Sequence, residues 1–299
     1  MTDNLNAPDE HGKTPIYLAA YNGHIEIVKF LVPLTNNPNA PYKNGKTPIY
    51  SVCQWARFTE VKNKSVYTEI VKILATLADN PNAPHKNGKT PIHEAAQNGL
   101  TEIVKILLPL SENPNAPDDD GRTPIQKAAN SLDDNTEIVK VLASFTKNPN
   151  GPDKNGITPI YNAAVYGHIE MIKFLAPLTD NPNSPSNSGK TPIYEAAWRG
   201  EVEIVKFLAP LTDNPNSPCN NGKTPIYAAA KEDQFESPRM AKRRTEIVKI
   251  LAPLTENPDA PDEHGNTPSS VTDRSAVRKF LKSFRKPTGE PFAKRARKF

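Results

Sequence analysis

The sequence predicts an all-α repeat solenoid of helix-turn-helix units joined by β-hairpin-like loops, and two observations predict it. A Thr-Pro pair recurs at Thr14, Thr47, Thr90, Thr123, Thr158, Thr191, Thr224 and Thr267, spaced by 33, 43, 33, 35, 33, 33 and 43 residues. A period near 33 is that of a repeat array. Around each pair the same order of residue types returns, most clearly from Gly189 to Leu208. Repeats of this kind pack only on their neighbours, so 299 residues need no central core.

Each element of the unit follows from its residues. Asn-Gly pairs such as Asn44-Gly45, Asn87-Gly88, Asn155-Gly156 and Asn221-Gly222 supply the positive φ of a tight hairpin tip. The threonine that follows caps a helix with its hydroxyl, and proline fits the first helical position, where an N–H has no partner to lose. Ala-Ala pairs, as at Ala95-Ala96 and Ala196-Ala197, let a second helix come close. A glycine breaks the run at Gly23, Gly99, Gly167 and Gly200. Helix two reads Glu-Ile-Val-Lys-Phe-Leu or a near variant, with one apolar face, and Pro33, Pro109, Pro177, Pro210 and Pro253 stop it.

The pattern Thr-Pro-Ile-Tyr/His-x-Ala-Ala-x-x-Gly-His-x-Glu-Ile-Val-x-x-Leu resembles the ankyrin repeat, in eight copies covering residues 9 to about 286. It departs from the family pattern in two places. Tyrosine replaces the usual histidine at Tyr17, Tyr50, Tyr161, Tyr194 and Tyr227, and the unit ends Asn-Pro-Asn-Ala-Pro. The resemblance also places Asn39, Asn82, Asn115, Asn150, Asn183 and Asn216 where ankyrin proteins can have a hydroxylated asparagine, with proline before each.

Residues 1–8 read as the end of a partial repeat. The repeats then run 9–41, 42–84, 85–117, 118–152, 153–185, 186–218, 219–261 and 262–286, and 287–299 form a flexible basic tail. Ten extra residues interrupt the second repeat around 56–66 and the seventh around 233–243, and the fourth gains two near Leu132; all read as surface loops along one edge. The last copy replaces Ile-Tyr-x-Ala-Ala by Ser269-Ser270-Val271-Thr272-Asp273, a polar cap. No such cap precedes the first copy, which keeps Ile16, Ile27, Val28 and Leu31. The chain therefore reads as a segment of a longer array, or as a monomer or a self-associating protein that covers this uncapped N-terminal end.

The formal charge of +4 is uneven: residues 270–299 carry a net +8, leaving −4 on the rest. Cys53 and Cys219 lie five repeats apart, too far for a bridge in a linear stack, which points to a reducing compartment. With no long apolar run and no leader segment, the expected location is the cytoplasm, or the nucleus if the Lys294–Lys298 run acts in import. No membrane partner is expected.

The six histidines are scattered singly, no Cys or His stands at metal-ligand spacing, and no phosphate-binding glycine loop occurs. Catalytic residues, cofactors and metal sites are therefore expected to be none, and the chain is read as no enzyme. The resemblance instead implies a groove lined by hairpin tips and the exposed side of helix one. Carried over, it selects Tyr21, Asn22, Trp55, Gln97, Asn98, Tyr166, Trp198 and Arg199, with Lys43, Lys86 and Lys154 at the tips. Aromatic residues and arginine dominate binding hot spots. A row of Lys13, Lys46, Lys89, Arg122, Lys190 and Lys223 before the Thr-Pro pairs suits an acidic protein segment better than nucleic acid, since no nucleic-acid module is present. The expected function is a protein-interaction scaffold. Its competitors are polyanion binding through tail and lysine row, or a targeting module of a larger protein.

Overall fold

The computed structural model describes residues 6–58, 61–231 and 237–284. Among these residues it holds fifteen α-helices and no strand, and the chain divides into two compact units, Met1–Pro149 and Asn150–Phe299. The first unit contains four helix pairs: α1 (Pro15–Tyr21) with α2 (Ile25–Leu31), α3 (Pro48–Trp55) with α4 (Val61–Ala75), α5 (Pro91–Gln97) with α6 (Thr101–Leu107), and α7 (Pro124–Ala129) with α8 (Thr136–Ala143). The second contains α9 (Pro159–Tyr166) with α10 (Ile169–Leu175), α11 (Pro192–Arg199) with α12 (Val202–Leu208), α13 (Pro225–Ala230) with α14 (Pro238–Leu251), and a single last helix α15 (Ser275–Ser283). The polar stretch after Thr267 makes turns where a first helix would stand.

The first helices start as their residues dictate. Thr14, Thr47, Thr123, Thr158, Thr191 and Thr224 each accept the N–H of the third helical residue on the side-chain oxygen, at 3.1 to 3.3 Å. Proline at the first position has no N–H to satisfy. The remaining N–H, on the second residue, goes to an asparagine ten positions upstream. Ile49 donates to Asn39 Oδ1 (3.1 Å), Ile160 to Asn150 (3.0 Å) and Ile226 to Asn216 (3.0 Å), and the same bond forms from Ile92, Ile125 and Ile193. The first turn is thus closed, and the six asparagines that the resemblance marks for hydroxylation are buried.

The tips are hairpin-like without strand pairing. Tyr42 N–H donates to the Lys46 carbonyl at 3.0 Å and Asp153 N–H to that of Ile157 at 2.9 Å, and the pattern repeats at the other tips. Glycine carries the left-handed residue in each. Of the asparagines before it only Asn44 joins it at φ 73°, because one left-handed residue suffices to turn five residues.

Two expectations are corrected. The ten-residue insertions are largely helix: α4 and α14 span 15 and 14 residues, against seven or eight for the other second helices, so most of the extra chain adds turns at the helix start. Ser237 Oγ accepts the Met240 N–H at 3.2 Å and Pro238 opens α14, the same device that starts a first helix. The prolines after helix two do not stop it outright. The α-helix ends one residue before a three-residue 3-10 turn, in which proline stands second. Residues 1–5, 59–60, 232–236 and 285–299, which include the basic tail and part of each insertion, lie outside the described residues.

Alanine pairs and one face of each second helix form the core; Ala96, Ala129, Ala164 and Ala197 are fully buried beside Val104, Val139, Ile172 and Val205. Ile27 departs from its counterparts. It is 49% exposed, whereas Ile70, Ile103, Ile138, Met171, Ile204 and Ile247 are 0–1% exposed. No helix pair precedes α1 and α2 among the described residues to cover it.

Candidate functional site

Adjacent helix pairs are tied by their tyrosines. In the first unit the Tyr17 hydroxyl lies 2.8 Å from Ser51 Oγ and the Tyr50 hydroxyl donates to Glu94 Oε1 at 2.7 Å. In the second, Tyr161 donates to Glu195 Oε1 at 2.9 Å. Each partner stands one residue after the next pair's own Tyr or His. Burial above all, and the adjoining carboxylate next, push the Tyr50 and Tyr161 phenols well above the ordinary range, so both stay protonated as donors. Lys190 Nζ completes the last tie, 3.2 Å from Glu195.

His93, the one family-type histidine at this position, works differently. Its Nδ1 accepts the Thr90 N–H at 3.1 Å and its Nε2 lies 2.9 Å from the Arg122 carbonyl, which requires the neutral ring with the proton on Nε2. Burial lowers its pKa to about 4. Beside it, buried Lys127 pairs with Asp118 at 3.7 Å, and burial lowers the lysine's pKa.

A second set of ties caps the ends of first helices. Tyr67 Oη donates to the Tyr21 carbonyl (3.3 Å), Asn98 Nδ2 to those of Cys53 and Gln54 (3.0 and 3.3 Å), and Asn135 Nδ2 to that of Ala96 (3.2 Å). In the second unit Arg244 donates to the carbonyls of Trp198 and Lys231, and Arg274 to those of Ala229 and Ala230. His168 is buried and stacked 6.1 Å from Tyr166, while His24 makes no side-chain cap.

Against this frame the sequence-predicted contact residues separate. In the first unit Tyr42, Tyr17, Tyr21 and Trp55 form a run of rings with successive centroid distances of 4.6, 6.3 and 6.0 Å, and Lys13 Nζ lies 5.8 Å from the centres of both Tyr17 and Tyr42. Trp55 is 45% exposed; Asn22 is exposed and Gln97 half-buried. The Asn98 amide is committed to its cap. In the second unit Tyr166 and Trp198 are 37% and 40% exposed, and the Arg199 guanidinium lies 4.8 Å over the Trp198 ring. At the tips Lys43, Lys86 and Lys154 are exposed, Lys43 donating to the Glu10 carbonyl at 3.2 Å.

Sequence reasoning missed the role of the lysine that precedes each Thr-Pro. Lys46, Lys190 and Lys223 hold Nζ 5.3 to 5.8 Å from the ring centre of the tyrosine four residues on, as Lys13 does. The recurring Lys-Thr-Pro-Ile-Tyr string was the available signal. It also missed a pocket of about 120 Å³ in the second unit, lined by Lys190, Tyr194, Trp198, Lys223, Tyr227, Ala228 and Lys231.

The other surface is bland. Glu26–Lys29, Glu102–Lys105, Glu170–Lys173 and Glu203–Lys206 pair at 2.7 to 3.1 Å, exposed and worth little each. Among the described residues no group of three or more His, Cys, Asp or Glu is placed to hold a metal ion, and no helix is long and apolar enough to cross a membrane. A family model described as ankyrin repeats (3 copies) matches residues 2–63, 58–153 and 132–218. No curated protein matches the chain.

Proposed function

This chain belongs to the ankyrin-repeat family, whose repeats are generally protein–protein interaction modules, and from that premise we propose that it is a non-enzymatic scaffold that holds a segment of a partner protein on the exposed ends of its first helices. One observation carries the reading. The residues just after the buried alanine pairs, and after Val52-Cys53 that replaces the pair in the second repeat, include large aromatics left 37–45% exposed, and at Trp198 a guanidinium is stacked on the ring. Rings held in place by the helix beneath lose little entropy on binding, which is why such residues dominate interfaces.

The contact set is Tyr21, Asn22, Gln97 and Trp55 with Lys43 and Lys86 on the first unit, and Tyr166, Trp198 and Arg199 with Lys154 on the second. Asn98 holds the end of α3, which carries Trp55, through the Cys53 and Gln54 carbonyls. The lysines favour an acidic segment. The repeats run from residue 9 to about 286, and the protein works in the cytoplasm or the nucleus.

Affinity capture followed by mass spectrometry tests this reading. The combined change Trp198→Ala with Tyr166→Ala is expected to lose the partner that wild type retains, while Leu178→Ser, at an exposed leucine of a 3-10 turn, keeps it. Equal recovery by the aromatic variant would end the proposal.

A further inference from the structure

The pocket beside Trp198 lies where one tie between neighbouring pairs is missing. Tyr17, Tyr50 and Tyr161 each reach a polar side chain one pair on: Ser51, Glu94 and Glu195. The corresponding residue for Tyr194 is Ala228, which has nothing to accept a hydrogen bond. The Tyr194 hydroxyl has no hydrogen-bond partner among the described residues, and the alanine leaves the pocket open over it.

The charges repeat the omission. At the intact junction Glu195 takes a hydrogen bond from Tyr161 and an ion pair from Lys190. At the open one Lys223 occupies the position of Lys190 and holds the same place over its tyrosine, 5.8 Å against 5.3 Å, with Lys231 on the rim. Neither Lys223 nor Lys231 makes an ion pair with a described residue. A phenol and the Lys223 ammonium thus stand at this pocket as Tyr161 and Lys190 stand around Glu195 one junction earlier, and Lys231, where the earlier repeat has Trp198, adds a second ammonium to the lining.

We propose that this pocket binds the carboxylate of an aspartate or glutamate side chain of the partner segment, which takes the place that Glu195 fills at the preceding junction. The inference rests on the scaffold reading above and assigns its acidic preference to one subsite. The lining supplies no guanidinium fork of the kind that favours phosphate, and the ring faces suit the methylene stem of glutamate.

The two tryptophans make the test internal. The full chain carrying ¹⁵N-labelled indoles is titrated with the blocked peptide acetyl-Gly-Glu-Gly-amide. The Trp198 indole signal is expected to move and saturate with a dissociation constant of about 1 mM, and that of Trp55 to stay. The glutamine peptide should bind at least tenfold more weakly, about one decade of affinity. Ala228→Glu supplies the missing carboxylate from within and should abolish the shift, and Lys223→Met with Lys231→Met should do so without filling the pocket.

Equal response to the glutamine peptide, no Trp198 response, or undiminished binding by a folded Ala228→Glu protein would each overturn the proposal. So would tenfold tighter binding of the phosphoserine peptide, which would make this a phosphate site. If partner capture fails in the Trp198→Ala, Tyr166→Ala protein but survives in the double lysine variant, the scaffold reading stands and the pocket assignment falls.

Discussion

The two units close the ends of their first helices with different chemistry. In the first the donors are neutral: the Tyr67 hydroxyl and the Asn98 and Asn135 amides, one or two bonds each. In the second they are guanidiniums: Arg244 binds two carbonyls, and Arg274 adds bonds to Ala241 and Thr245 besides those to Ala229 and Ala230. The difference does not follow the insertions: Tyr67 and Arg244 both stand in a lengthened second helix, α4 and α14, whereas Arg274 stands at the start of the nine-residue α15 and Asn98 and Asn135 precede α6 and α8. A phenol spends one donor and fills space with its ring, whereas a guanidinium distributes five donors over several acceptors. One junction is therefore held mainly by packing, the other by hydrogen bonds.

The largest expected effect sharpens that contrast. Arg244→Ala leaves two carbonyls short and removes a buried stem, a loss of about 4 kcal/mol, whereas Tyr67→Phe gives up one long bond and keeps its ring, costing less than about 1 kcal/mol. Because cooperativity in repeat proteins can break down, hydrogen exchange of α11 and of α1 is the measurement. Equal losses would erase the distinction.

Acid tests the neutral side of the comparison. His93 sits in the first unit with its pKa lowered from 6.5 to about 4, chiefly by burial, so the unfolded chain takes up its proton first. The stability that His93 contributes is present above pH 6.5, is lost as pH falls toward 4, and amounts to about 3 kcal/mol. Denaturant titrations followed by Trp55 fluorescence at pH 7 and pH 4.5 measure it. His93→Gln should flatten the dependence and keep the cap, since Gln126 Oε1 already accepts the Thr123 N–H at 2.9 Å in the next pair.

The smallest expected effect is a reversal of what distances alone suggest. A Cβ on Gly200 would meet Met240 Sδ at 2.5 Å, and one on Gly23 would meet the Tyr67 ring at 3.2 Å. Both positions have positive φ, so alanine costs about 1–2 kcal/mol at either. Methionine can rotate away, whereas the Tyr67 ring is pinned through its hydroxyl. Gly23→Ala should therefore destabilise more than Gly200→Ala by about 1 kcal/mol in parallel denaturant titrations. The opposite order would show that the first unit's junction is the looser one.

The helix pairs, the threonine caps and the half-exposed aromatics were legible because each is written as a local string with a known geometric consequence. The insertions misled because extra residues at the site of a helix-turn glycine read as loop, although Ser237-Pro238 carried the same start signal as every Thr-Pro. The asparagine bonds span ten residues, and only the folded chain shows that Asn39 reaches Ile49. The pocket was illegible for a related reason: nothing at Ala228 stands out until Tyr161 is seen to reach Glu195 across a junction.

These two kinds of bond respond differently to genetic exchange. Threonine lies on the same block as the helix it starts, and the asparagine lies at the end of the preceding block, where Asn-Pro-Asn or Asn-Pro-Asp recurs from the first copy to the seventh, so a crossover or duplication that moves whole blocks supplies both bonds again. Tyrosine and its acceptor lie on successive blocks and are separated by the same event. Reshuffling such an array leaves every helix able to form and reassigns the mates of its phenols, and a phenol set against an alanine, as Tyr194 is against Ala228, is where the proposed carboxylate of a partner would enter.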